Sequence, residues 1–477
     1  MADLVFRYQS EMPVSAEKLY TWHLRSGAFA RFTPPWEPVQ LIHADSPLRE
    51  GAIATLKIPI GPFWKEWVAE HGEFIPGQQF VDRQRTGPFA RWSHFHRMEP
   101  LDLHRSLLVD EIRCAPPGGT LGRWLSSGMI CRKLERMFRY RHDLLRDDLR
   151  AAARTHAGPQ RILVSGSSGL VGTALCALLA TGGHDVVRLV RDRKLAGNPA
   201  FRCWDPAHGQ ISVADLKQFD AVIHLGGEGI ADGRWSPEKK RRLKDSRVIP
   251  TRLLCESLAK CERPPKVVVV ASATGYYGDR GDELLTEQSD LGNGFLPEIC
   301  RAWEEATSPA SAAGIRTVNV RIGVVLTPAG GALAKMLPIF RWGGGGRLGN
   351  GRQWMSVISL DDLIGLIGHA LVHPELSGPV NAVLPEPVTN AEFTRTLGRV
   401  LHRPAMLPVP KTAIRIVAGE MADALLFAST RAVPQRALES GYQFRHATLE
   451  QALRHVLGAQ PPTSEHQTDC SCVTHAE

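Results

Sequence analysis

The chain has 477 residues, with 57 Lys and Arg against 49 Asp and Glu for a formal charge of +8, and a hydrophobic content of 43%. Its length gives about three compact units at roughly 150 residues each, and its composition excludes wholesale disorder. No apolar run reaches the roughly 18–20 residues of a bilayer span, and so mild a basic excess predicts a solvated surface rather than a nucleic-acid partner or a membrane. Residues 1–14 lack the apolar stretch of a signal peptide. The 9 Cys are odd in number and lack CxxC pairs, which predicts a reducing, cytoplasmic setting and no disulfide framework.

Residues 1–153 read as an α+β domain. Extended stretches are predicted at 4–8, 52–60, 67–74, 91–98 and 107–113, separated by Pro and Gly turns. A helix is predicted over 15–23, with Ser15 as N-cap and Glu17 in its first turn. A longer one is predicted over 128–153, because Ile130, Leu134, Met137, Leu145, Leu149 and Ala152 recur at helical spacing with Arg and Asp opposite. Few polar residues occupy inward strand positions, which fits either an internal cavity or a plain core. His23, His94 and His96 have no metal-ligand partner at recognisable spacing and read as structural. The order helix, strands, long helix, together with WHLRSGAFARFTPPWEPV, resembles the START-like or Bet v 1-like (SRPBCC) helix-grip superfamily. That resemblance implies a pocket for an apolar ligand, with Trp36, Phe63, Trp64, Trp67 and Trp92 as candidate wall residues.

Residues 154–160, RTHAGPQ, read as a linker. Beyond it an apolar strand, ILVS, runs into Gly166-Ser167-Ser168-Gly169-Leu170-Val171-Gly172, then a helical stretch, then a second apolar strand over 185–190. Glycines so spaced inside a βαβ unit form a dinucleotide loop. Gly166 permits the tight turn, Gly169 lets backbone approach a pyrophosphate, and Gly172 allows close packing of helix on strand. Ser168 and Leu170 stand at the helix N-terminus, where free N–H groups meet the anion. The second strand ends in Arg191-Asp192-Arg193-Lys194. Arg191 at the decisive position predicts NADP(H), since a guanidinium grips a 2′-phosphate. Asp192, one residue on, is the carboxylate an NAD site uses, so the choice turns on register.

Strands predicted at 220–225, 266–272 and 317–326 alternate with helices at 237–260 and 295–313, giving a doubly wound α/β domain with a Rossmann-type parallel sheet over 161–385. Its strand ends carry Leu225-Gly226-Gly227-Glu228, Ser272 to Gly278, and Gly323-Val324. Ligands bind at such ends. Glu228 reads equally as a contact to cofactor or substrate and as a plain loop carboxylate, and His224 reads as structural.

SGSSGLVG, HLGGEGIADGRW, KDSRVIPTRLL, SATGYYG, RAWEEA, RIGVVLTPAGGALAKMLPIF and GNGRQWMSVISLDDL resemble the epimerase-family branch of the extended short-chain dehydrogenase/reductases. Residues 386–458 resemble that branch's small C-terminal domain. The resemblance implies bound NADP(H) and hydride transfer to or from a carbonyl or alcohol of a small-molecule substrate. One departure is sharp: Phe295 and Ile299 stand where such enzymes place a catalytic Tyr and Lys, and neither moves a proton. Ser272, Thr274 and Tyr276 remain as candidate catalytic residues, with Tyr277-Gly278 and Arg247 read as structural. The missing pair leaves a second reading, an NADP(H)-bound sensor without turnover. Ser359 stands where relatives carry His, and Asp361-Asp362 read as a helix N-cap. Residues 459–477 lack periodic apolar positions and read as a disordered tail, in which His466, Cys470, Cys472 and His475 have no packed frame for a metal.

Overall fold

Alternation along Asp3–Met12 turns Leu4, Phe6, Tyr8 and Met12 to one side, where all four are buried. Burying each such side chain stabilises the fold by roughly 1.5–3 kcal/mol, so the strand is a floor on which other elements pack. The computed structural model of the protein describes residues 3–154, 158–461 and 466–473. The chain divides into two compact units, one of Met1–His156, Ala180–Gly183 and Gly458–Glu477, the other of Ala157–Leu179 and His184–Leu457.

The first unit is an antiparallel sheet in the order Gln40–Ala44, Ile53–Ile60, Phe63–Ile75, Gln79–Thr86, Arg91–Pro100, Ser106–Ala115, Asp3–Met12, His466–Val473. Helix Ala16–Leu24 begins as predicted, the Ser15 side chain accepting from the Lys18 N–H. The long helix spans Gly119–Arg154, starting nine residues (128 − 119) before the predicted 128. Its Leu134 and Phe138 pack with Leu4, Phe6, Tyr8 and Ile112, and its Leu145 and Leu149 with Met12, Leu19, Trp22 and Met98.

Two expectations fail at the C-terminal segment. Residues 466–473, read as disordered, form a strand that pairs with Asp3–Met12 across eight residue pairs. Backbone pairing to an open sheet edge needs no apolar periodicity, so the sequence carried no sign of it. The pairing sets Cys470 opposite Phe6, and Cys470 forms a disulfide with Cys131 of the long helix. The cysteines are therefore not all unpaired. His475 and linker residues 155–157 lie outside the described residues.

The second unit is a sheet in the order Gln210–Ile211, Phe201–Asp205, Asp185–Val190, Arg161–Ser165, Ala221–His224, Val267–Ala273, Arg316–Ile322, Gly378–Ala382. All strands are parallel except the edge strand Gln210–Ile211. The near-continuous apolar strands are buried on both faces. Helices Leu170–Thr181 and Leu360–Val372 cover one side through Leu175, Leu179, Leu363 and Ile367. Helix Pro237–Ala259 covers the other through Leu254 and Leu258. The predicted strand 317–326 breaks in two at Gly323, where a Cβ would lie 2.6 Å from the Ser356 carbonyl oxygen. The order reverses at Arg161–Ser165, which has Asp185–Val190 on one side and Ala221–His224 on the other. Ligands of doubly wound sheets bind at this switch point, beyond the carboxyl ends of the strands.

Candidate functional site

At the switch point the chain leaves Ser165 through Gly166, whose φ of +75° only glycine adopts without strain. A Cβ on Gly166 would sit 2.8 Å from the Leu225 carbonyl carbon, so the turn and the neighbouring strand end interlock. A Cβ on Gly172 would sit 2.1 Å from the Gly166 carbonyl oxygen, which is how closely the helix rides over the loop. Between them Ser168 and Gly169 are exposed, and Leu170 opens the helix. Backbone N–H groups at such a helix start form an anion cradle, and side-chain-free glycines let a pyrophosphate reach them. Leu225 donates its N–H to Ser165 O at 3.0 Å, which sets Gly226 and Gly227 beside the cradle.

The end of the second strand distinguishes Arg191 from Asp192. Asp192 Oδ1 accepts from the Lys194 N–H at 2.9 Å and caps the turn Arg193–Leu195. Arg191 is exposed and makes no hydrogen bond or ion pair among the described residues. Its guanidinium keeps every donor available for a phosphate, whereas the Asp192 carboxylate has structural work. The cradle and this donor set fit a phosphorylated dinucleotide.

Glu228 lies at the other lip, its carboxylate accepting from Lys239 Nζ at 2.7 Å. That hydrogen bond holds its pKa below the usual carboxylate value. Arg247 donates to the Glu228 and Leu243 carbonyl oxygens at 2.9 Å and anchors the loop. Beneath it, His224 is wholly buried, meets Ser165 Oγ at 3.1 Å, and is driven by burial down to about 4, so its ring is neutral. Val324 donates to Ser356 O at 2.8 Å, joining the two segments after the Gly323 break.

Two of the candidate catalytic residues, Ser272 and Tyr276, meet at one ion pair. Arg321 and Glu304 meet in a fork, Nε to Oε1 at 2.8 Å and Nη2 to Oε2 at 2.9 Å. Ser272 donates to the same Oε1 at 2.7 Å. The Tyr276 ring lies 3.4 Å from the Arg321 guanidinium carbon, and its hydroxyl has no hydrogen-bond partner among the described residues. Tyr277 is fully buried. It donates to Asn381 Oδ1 at 2.7 Å, lies 3.0 Å from Arg321 Nη1, and is pushed by burial up to about 12. Thr274 opens the turn Thr274–Tyr277 and makes no side-chain hydrogen bond among the described residues. Phe295 and Ile299 pack with Trp235, Leu243 and Leu296. The helix face that would carry a Tyr–Lys pair is a hydrophobic contact.

Two sequence readings need revision. The N-cap of helix Leu360–Val372 is Ser359, which accepts from the Asp362 N–H at 3.0 Å. Asp362 instead accepts from the Arg445 and His446 N–H groups, and Asp361 meets His455 Nε2 at 2.7 Å. In the first unit, His94 and His96 are not isolated. Strand pairing sets them beside Asp82, and the three offer ligand atoms within 4.8 Å of one another. That unit contains a cavity of about 1390 Å³ whose wall includes Phe63, Trp64, Trp67 and Trp92. Trp36 stands apart from it, edge-on to Tyr140 and under the Arg136 guanidinium. The wall also carries His23, Asp82, His94, His96 and Arg141, more polarity than the strand pattern predicted. No helix among the described residues is long and apolar enough to cross a membrane.

Comparison with known proteins bears on both units. Residues 162–383 match the NAD dependent epimerase/dehydratase family, and residues 409–456 match a domain of unknown function, DUF1731. An epimerase family protein of Mycobacterium bovis is 44% identical over 292 residues, 61% of this chain and 96% of the relative. The human epimerase family protein SDR39U1 is 35% identical over 300 residues, 62% of this chain and 99% of the relative. A crystal structure of human SDR39U1 isoform 2 with NADPH aligns at a TM-score of 0.57 and 34% identity, covering 62% of this chain and 98% of that one. The nucleoside-diphosphate sugar epimerase of Corynebacterium glutamicum aligns at a TM-score of 0.76 and 34% identity, over 95% of this chain and 90% of that one.

Proposed function

The chain belongs to the NAD dependent epimerase/dehydratase family, and from that premise we propose that it is an NADP(H)-dependent oxidoreductase-like protein acting on a carbonyl or alcohol. One observation carries the cofactor choice: Asp192 is spent on a turn while Arg191 is unengaged. Backbone at Gly166, Ser168, Gly169, Leu170 and Gly172 cradles the pyrophosphate, and Arg191 takes the 2′-phosphate. Leu225, Gly226, Gly227 and Val324 line the crevice, with Glu228 at its rim. The NADPH bound by the human relative supports this reading. When bound, the cofactor supplies a hydride from its nicotinamide. Tyr276 is the residue with a free hydroxyl to donate a proton, and Thr274 can orient a substrate oxygen. Ser272 serves instead to hold Glu304 against Arg321.

Titration with both nucleotides tests the choice. Arg191→Ala should weaken NADPH about 10–100-fold, the worth of a charge-assisted hydrogen bond or two, and leave NADH within about 2-fold. Equal loss for both nucleotides would remove Arg191 from the 2′-phosphate site.

The apolar contact of Phe295 and Ile299 favours a second reading, an NADP(H)-binding sensor without turnover. Robust NADPH oxidation with a panel of carbonyl compounds, abolished by Tyr276→Phe, would exclude it. For the first unit we propose a helix-grip domain that holds an apolar small molecule. The supports are its order of helix, strands and long helix, and a cavity above the roughly 300–1,000 Å³ of ordinary ligand sites.

A further inference from the structure

We propose that Asp82, His94 and His96 bind a divalent first-row transition-metal ion at the wall of the first unit's cavity, with open coordination positions facing an apolar ligand that carries an anionic oxygen. This site is independent of the nucleotide reading.

His94 and His96 stand two residues apart on one strand and therefore share a face. Register sets Asp82 opposite His94 on one neighbouring strand and Asp110 opposite His96 on the other. One Asp82 oxygen, Oδ1, lies 3.3 Å from His94 Nδ1 and 3.1 Å from His96 Nε2. Ligand atoms around a four-coordinate ion at about 2.0–2.1 Å are about 3.4 Å apart, so each nitrogen is spaced from this oxygen as a co-ligand would be, and the ligand atoms of the three residues all lie within 4.8 Å of one another.

The opposite side of the His94 ring is also held. His94 Nε2 meets Asp110 Oδ1 at 2.9 Å, and His96 Nδ1 approaches the same oxygen to 2.8 Å. Asp110 Oδ2 in turn lies 2.7 Å from His142 Nε2, and His142 Nδ1 lies 2.6 Å from Ser10 Oγ. Metal-bound imidazoles direct their second nitrogen at a carboxylate that is itself hydrogen-bonded, which sets ring tautomer and orientation. Asp110, backed by His142 and Ser10, supplies that outer shell for the His94 ring, while His96 Nδ1 lies near the same oxygen without hydrogen-bond geometry. Two carboxylates balance one divalent ion, and Arg141, which interacts with both Asp82 and Asp110, leaves one positive charge for an anionic ligand to neutralise.

Two imidazoles and one carboxylate leave coordination positions free. Asp82 and His96 keep 19% and 14% of their side-chain surface, enough for a ligand to reach an ion between them. Phe80 stacks on His96 at 4.3 Å, so the surroundings are apolar. Arg141 on the same wall complements negative charge on the ligand.

The test uses the full chain, stripped with a chelator and titrated with Co(II) by absorbance and Zn(II) by calorimetry. One equivalent should bind, with d–d bands of nitrogen and oxygen ligands and no thiolate charge-transfer band. Asp82→Asn, His94→Ala and His96→Ala should each weaken binding by more than about 100-fold, and Asp110→Asn by about 10–100-fold. Circular dichroism and melting verify folding. Replacing His466, Cys470 and Cys472 together should leave binding intact. Should the His variants unfold, the wild-type Co(II) spectrum and the isosteric Asp82→Asn decide alone. No saturable binding of either ion, thiolate bands, or affinity unchanged in Asp82→Asn would each overturn the proposal and leave a salt-bridged structural cluster.

Discussion

The two units place chemistry in opposite ways. In the second, the proposed nucleotide cradle is a contiguous string, residues 166–172, in which Gly166 and Gly172 each answer a local backbone demand. In the first, Asp82, His94, His96, Asp110 and His142 come from three strands and a helix and meet through register and packing. A loop motif is legible because its spacing is its geometry. A cluster assembled across strands shows only isolated polar residues in alternating sequence. What separates the two is whether the contacts that make a site are local along the chain.

The sharpest way to break that comparison is Gly172→Val. Its Cβ would start 2.1 Å from the Gly166 oxygen, and NADPH affinity should fall by more than about 100-fold while circular dichroism stays native. Affinity kept within about 3-fold would mean that the cradle is not the binding element.

Both units contain a buried bidentate ion pair, Arg321–Glu304 in the second and Arg31–Asp148 in the first. Arg321→Leu and Arg31→Leu each remove the guanidinium that pairs with a carboxylate, and each should cost about 3–5 kcal/mol of stability in urea unfolding. If each affects a separate transition, the units unfold independently; one shared transition shifted by both would show them coupled.

Burial holds His224 at about 4, below the ordinary 6.5. A depressed His stabilises fully above its unfolded pKa, and that stability is lost as pH falls through 6.5 toward 4. Wild type should therefore lose about 2 kcal/mol more between pH 7 and pH 5 than His224→Gln. Parallel pH curves for the two proteins would show the ring to be charged or exposed.

The smallest effect belongs to Ser272→Ala, which removes one hydrogen bond to Glu304. Stability should fall by about 1 kcal/mol with NADPH affinity unchanged. A large drop in turnover at unchanged stability would return Ser272 to a catalytic role.

Legibility followed the same divide. Strand 185–190 and helix Pro237–Ala259 were both readable, the strand from Val186, Val187, Leu189 and Val190 despite Arg188 between them. Gln79–Thr86 was not, since only Phe80 and Val81 of its eight residues are buried and the rest read as loop. Gln40–Ala44 is an edge strand exposed throughout, so burial left no periodic mark on it. Residues 467–471 are likewise exposed, and backbone pairing to Asp3–Met12 maintains their strand.

The sequence by itself determined the doubly wound α/β body, the glycine cradle, the absence of a Tyr–Lys pair, and Arg191 and Asp192 as the rival cofactor readers. These depend on residue type and short spacing, which folding does not rearrange. Only the tertiary structure decided that Asp192 is committed to a turn, that Ser272 is tied to Glu304, that Cys131 reaches Cys470, and that His94 and His96 meet Asp82 and Asp110. Each of these rests on two segments distant in sequence or on where a side chain turns, and register and packing settle such matters after the chain has folded.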